Sequence, residues 1–135
     1  MTEAPAQGTS VLMAVSNAMV RLHKEQFGRG PTHARSHFAG PDALLCILEN
    51  ALLPAELKMM ELGEESRVRD TRNSFQAATA AEFVSAVEEI VGRKVRAFAS
   101  GLDAPKNVVF ENFVFMPQAT TDGSDGSDGS DGRVA

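Results

Sequence analysis

Residues 27–38, FGRGPTHARSHF, gather two arginines, two histidines and two glycines at the point where an apolar helical pattern stops. Such residues can do three kinds of chemistry. Imidazoles bind metals or move protons, guanidiniums hold anions, and glycines let backbone amides close on a phosphate. The spacing narrows the choice. On a strand His33 and His37 would stand about 13 Å apart at about 3.3 Å per residue, whereas one zinc takes its ligands at about 2 Å. Gly28-Arg29-Gly30-Pro31 has neither the Gly-x-Gly-x-x-Gly of a dinucleotide loop nor the Lys-Ser/Thr of a P-loop. It also follows a helix, where its amides meet the negative end of the dipole. What is left is the cations. Arg29 and Arg35, with Arg21 and Lys24 near them and Gly28 and Gly30 shaping the turn, form the candidate site for an anion or an acidic partner. The plainer reading is punctuation: Gly28 caps a helix, Gly30-Pro31 turns, and Arg29 pairs with an acid elsewhere.

Other routes to catalysis are thinner still. Cys46 is the only cysteine, so no internal disulfide forms, and its setting in ALLCIL implies a buried thiol with a raised pKa. A Gly-x-Ser-x-Gly elbow is absent. The acid pairs Glu64-Glu65 and Glu88-Glu89 are adjacent on or beside expected helices, where neighbouring side chains diverge. The expectation is a protein that is not an enzyme and holds no metal or cofactor. The formal net charge of −5, and a chain with neither Trp nor Tyr to stack on bases, make nucleic acid an unsuitable partner. No segment has the eighteen or so apolar residues that a membrane span needs, so no direct membrane insertion is expected. Glu3 stands where a signal peptide would be positive. A single cysteine and no such leader fit a cytoplasmic protein.

The elements that must position these residues follow from periodicity. At 135 residues the chain suits one domain. Residues 1–8 lack periodicity and are expected to be disordered. Residues 9–117 carry the domain. Residues 118–135 form a Ser-Asp-Gly tail in which glycine entropy and repelling aspartates prevent a core. From Thr121 onward four aspartates face one arginine, so this stretch holds −3 of the net charge. The aspartates lack the far-end Glu and flanking helices of a calcium loop.

Ser10 is the expected N-cap of a first helix with Val11, Val15, Met19 and Leu22 as its stripe, and His23 at the stripe's edge. PTHARSHF then alternates, setting His33, Arg35 and His37 on one face. ALLCILE reads as a strand buried on both faces, because its apolar run is nearly unbroken. These two segments make a hairpin across AGPD. Pro54 opens a short helix closed by Gly63. A long helix follows from about Ser66 to Val91, with Val68, Phe75, Phe83, Ala86 and Ile90 on one face. Thr79 interrupts that face, with a hydroxyl able to bond back to the backbone. KVRAFAS and NVVFENFVFM are two further strands. A helix, a Gly-Arg pair and two strands thus occur twice. That repeat implies an α+β, two-layer fold with a four-stranded antiparallel sheet and helices on one face. The other face is left open, with Phe98, Phe113 and Phe115 expected on it beside Arg96, and a homodimer is the simplest way to cover it.

The segments SNAMVRLHKEQFGRGPTHAR, LENALLPAE, RDTRNSFQ and EEIVGRKV resemble the MpsC-like family of bacterial domains, from about Ser16 to Met116. The family usually shows Leu-Thr-Pro-Ala-Glu before the short helix. Here Leu53 takes the threonine's place and removes an N-cap at a local cost of roughly 1 kcal/mol. The resemblance implies a soluble accessory subunit of a sodium-linked, membrane-potential-generating system related to inorganic-carbon uptake. It brings no catalytic residue. The expected function is therefore a non-enzymatic interaction or regulatory module, whose partners are a second copy and a membrane transport subunit. The rival expectation is a small-anion or nucleotide sensor built on Arg29 and Arg35.

Overall fold

A computed structural model describes residues 7–118. In chain order the elements are α1 (Gln7–Phe27), β1 (His33–Phe38), β2 (Ala43–Glu49), α2 (Pro54–Glu61), α3 (Glu65–Val91), β3 (Val95–Asp103) and β4 (Val108–Phe115). The fold is α+β, with one antiparallel sheet in the order β1-β2-β4-β3. The expectations for the N-terminal residues before Gln7 and for the acidic tail lie outside the described residues. Helix α1 begins three residues ahead of Ser10, because an established helix gains one hydrogen bond for each residue added at its end.

The repeat visible in sequence has a common geometry. Gly28 and Gly92 each end a helix in the left-handed conformation, at φ of 86° and 80°, with their amides bonded to Lys24 O and Glu88 O. The arginine that follows each glycine then reaches backbone carbonyls elsewhere. Arg29 Nη1 donates to Leu52 O at 2.7 Å. Arg93 donates to Pro41 O and Met116 O, both at 2.7 Å, and pairs with Asp42 at 2.8 Å. Exchanging β1 with β3 and β2 with β4 leaves the strand order unchanged, as two helix-strand-strand halves require.

Helix α1 packs on β1 and β2, and α3 on β3 and on α1. The core lies between them and one face of the sheet: Val15, Met19, Leu22, Leu44, Leu48, Phe83, Val87, Phe113 and Phe115 are all buried. Helix α2 leads into α3 with half a capping box. Leu53 offers no side-chain cap, but Glu56 Oε1 accepts the Leu53 amide at 2.7 Å.

Register corrects two expectations. Strand β2 is not buried on both faces; Leu44, Cys46 and Leu48 are buried, whereas Leu45 and Ile47 alternate with them and stay partly exposed. Phe98, Phe113 and Phe115 do not face outward. Phe113 and Phe115 are fully buried, and Phe98 stacks on Phe113 at 4.7 Å and on Phe83 at 5.9 Å. Irregularity between Val95 and Ala97 shifts the parity that a simple alternation would assign to β3. The outward phenylalanine is Phe110. In denaturant titrations of dilute protein, Phe113→Ala should therefore cost about 3–5 kcal/mol and Phe110→Ala only about 1. Equal losses would contradict this facing.

Candidate functional site

The junction residues are mostly occupied by the fold itself. Gly28 caps α1, and a Cβ on Gly30 would stand 3.0 Å from Val20 O, so that position tolerates only glycine without movement. Arg29 straps the junction to the loop before α2. Arg35 lies on the open side of β1 and pairs with Glu49 at 2.7 Å. Arg21 pairs loosely with Glu25 at 3.7 Å, and Lys24 is exposed with no ion-pair partner among the described residues. Arg29 and Arg35 thus reach different acceptors. His33 and His37 share the face of Arg35, and no three potential metal ligands come together among the described residues.

A polar cluster that the sequence reading did not anticipate sits in the core. Register places Ser36, Cys46, Glu111 and Ser100 in one row across the helix-facing side of the sheet. Glu111 is fully buried, and His23 from α1 meets it through Nε2···Oε2 at 2.9 Å. Ser16 and Ser36 share a hydrogen bond at 2.8 Å, tying α1 to the same row. The His23 ring stands edge-on to Phe83 at 5.6 Å. Nearby, the Arg72 guanidinium lies 3.7 Å above the Phe27 ring, grips Glu56 at 2.6 and 2.8 Å, and donates to Ala51 O at 3.1 Å.

Between His23, Phe27, Arg72, Gln76, Ser100 and Leu102 lies a cavity of about 30 Å³. His23 Nδ1, Arg72 Nη1 and Gln76 Nε2, on side chains that line it, are buried without a protein partner, as is Oε1 of Glu111, the acid that His23 meets. The volume suits one or two waters, which would satisfy these atoms. Charge argues against an anion. Glu56 already neutralises Arg72, and Glu111 at least matches whatever charge His23 carries. Two signals in the sequence mark this cluster. Glu111 is the one acid at the parity of Val109, Phe113 and Phe115, and Arg72 stands four residues beyond Val68 on the buried stripe of α3.

The third feature is the open sheet face. Register assembles it in rows: Arg35-Ile47-Phe110-Gly101 at the centre, His37-Leu45-Asn112-Ala99 on one side and His33-Glu49-Val108-Asp103 on the other. Its middle is apolar, with Leu45, Ile47, Val108, Phe110 and Val114 all partly exposed.

Burial lifts the Cys46 thiol to about 11 from 9.0, with a smaller opposing effect of the Ser36 hydrogen bond. The unfolded thiol ionises first as pH rises, so its contribution to stability is whole below pH 9 and fades towards about 11. Urea midpoints should show that fall, and Cys46→Ala should remove its share of it. Arg72→Ala strands the Glu56 carboxylate and should cost about 3–5 kcal/mol, much of it restored when Arg72→Met is combined with Glu56→Leu.

No helix among the described residues is long and apolar enough to cross a membrane. No curated protein and no solved structure matches the chain. Residues 9–116 match the family model described as Na+-translocating membrane potential-generating system (MpsC). That match takes in both helix-strand-strand halves, the buried His23–Glu111 pair and the open face, and the chain belongs to the MpsC family.

Proposed function

We propose that the chain is a non-enzymatic, cytoplasmic accessory module of a membrane-potential-generating system, acting through protein contacts rather than turnover. One observation carries this reading: a whole sheet face with an apolar centre is left without a covering layer among the described residues. A single sheet is stable when a second layer covers each apolar face, and helices cover only one here. Contiguous exposed apolar surface of this kind marks interaction sites. The polar groups among the described residues give no competing centre. Those in the core are paired or turned towards a cavity the size of one or two waters, and Arg29 and Arg35 are engaged within the fold. The link to membrane potential comes from the family alone.

The test is a cell in which the gene for this chain is deleted, with membrane potential followed by a voltage-sensitive dye as sodium is varied. Deletion should lower the sodium-dependent potential, and the full chain should restore it. Ile47→Asp, which charges the open face, should fail to restore it at equal protein level, while Lys106→Ala in the β3–β4 turn should succeed. A potential indifferent to the deletion, or restored in full by Ile47→Asp, would overturn the proposal.

A further inference from the structure

We propose that the open face is where two copies of this chain meet, with the twofold axis parallel to the strands and passing between β2 and β4. The inference rests on the interaction-module reading above and names the occupant of its surface. Strand β2 supplies the first argument. Its sequence ALLCILE is apolar almost throughout, the pattern of a strand covered on both sides, yet the described residues cover only the side of Leu44, Cys46 and Leu48. Leu45 and Ile47 are therefore suited to a layer that the described residues do not supply. Four strands about 4.8 Å apart and six residues long at about 3.4 Å make a face of about 400 Å² in projection. Two such faces cover about 800 Å² in projection, below the standard size of stable complexes and in the range of weak, transient pairs.

The side chains on this face are self-complementary in one arrangement and not in the other. Two sheets stack face to face about a twofold axis lying in the plane between them, and its direction decides which strands oppose. The β1 edge carries His33, Arg35 and His37, all large and exposed. The β3 edge carries Ala97, Ala99, Gly101 and Asp103. An axis perpendicular to the strands would set β1 over β1 and β3 over β3. Six large side chains would then crowd one side, and Ala97, Ala99 and Gly101 of both copies would leave a gap on the other. An axis parallel to the strands sets β1 over the partner's β3, so bulk fills the space that small residues leave.

The same axis orders the rows. Ile47 lies over Phe110 of the partner subunit, Arg35 over the partner's Gly101, and His33 beside the partner's Asp103. Phe110 is already inclined towards the small strand, since a Cβ on Gly101 would come within 4.0 Å of its ring. Sheets stacked in this aligned way cross at about 30°, so the central row sets the contact and the edges follow within about one residue. Asp103 is exposed and adds a negative group where the partner's imidazole arrives. A protein of different sequence would need a matching tilt of bulk from one edge to the other. A second copy has it by symmetry.

Sedimentation of the full chain across micromolar concentrations should show a mass approaching twice 14.4 kDa. Phe110→Glu should weaken association by about 30-fold or more while the circular dichroism of the fold persists. Axis direction is read by short bis-maleimide linkers, to which buried Cys46 does not respond. A mixture of Arg35→Cys and Gly101→Cys proteins should cross-link to each other more than either does to itself. A monomer at every concentration, a dimer indifferent to Phe110→Glu, or preferential self-linkage of Arg35→Cys would each overturn the proposal. A monomer that still restores membrane potential in cells would leave the module reading standing and remove only the dimer.

Discussion

A carboxylate shut off from bulk solvent is the constraint around which the rest of this fold is arranged. Glu111 projects from the middle of β4 into the layer between sheet and helices. A carboxylate in that position must find a hydrogen-bond partner, because an isolated buried charge costs far more than any one contact returns. Its partner is His23, 88 residues earlier and on the other half of the molecule. One hydrogen bond thereby links α1, the first helix, to β4, the last strand. The polar row Ser36-Cys46-Glu111-Ser100 sets how α1 lies along the sheet, since Ser16 and His23 must reach two points of that row together. Apolar packing alone would leave α1 free to slide, because Leu, Val and Met interchange at little cost. Buried pairs of this type add little net stability, and we assign this one the role of fixing helix position.

Arg72 plays the equivalent part on the second half. Its guanidinium joins α3 to α2 through Glu56, to the β2–α2 loop through Ala51 O, and to α1 through the Phe27 ring. Glu56 in turn closes the start of α2 by accepting the Leu53 amide. The missing N-cap at Leu53 is therefore offset by a carboxylate held from two sides. Arg29 and Arg93 add straps at the ends of the two long helices. Four buried or half-buried cationic or imidazole side chains thus tie together elements whose apolar contacts are permissive. Of the basic residues that look like a ligand site in sequence, Arg29 is one of these fasteners, whereas Arg35 pairs with Glu49 on the open side of β1.

How much of this was legible follows from the range of the forces involved. Elements set by local chemistry were readable: the Gly28 and Gly92 stops, Pro54 at the head of α2, the β1–β2 hairpin across Gly40, and the Thr79 hydroxyl bonded to Phe75 O at 2.7 Å. The duplicated helix-strand-strand unit was readable too, and with it the α+β sheet. Strand order was not, because nothing local distinguishes β4 beside β2 from β3 beside β2. The facing of the phenylalanines failed for a related reason. A single irregularity near Arg96 reverses parity along β3, and F-x-F patterns put aromatic residues at equal spacing whichever side is buried. The His23–Glu111 pair was hidden because its members are 88 residues apart. An acid at core parity on a strand was the available sign, and only a fold brings its partner into view.

The two faces of the sheet therefore carry opposite kinds of information. The covered face holds a mixed polar and apolar pattern that allows one placement of the helices. The open face holds a simpler gradient, large and basic at β1, apolar in the middle, small at β3. A gradient across strands has direction, so it can specify which edge of another layer lies above which. Uniformly apolar faces lack that property and associate without register. Strand β2 is where the two patterns meet: its inward residues belong to the core and its outward residues, Leu45 and Ile47, to the open face. Its near-continuous apolar run thus serves two faces at once, one buried under the helices and one open among the described residues.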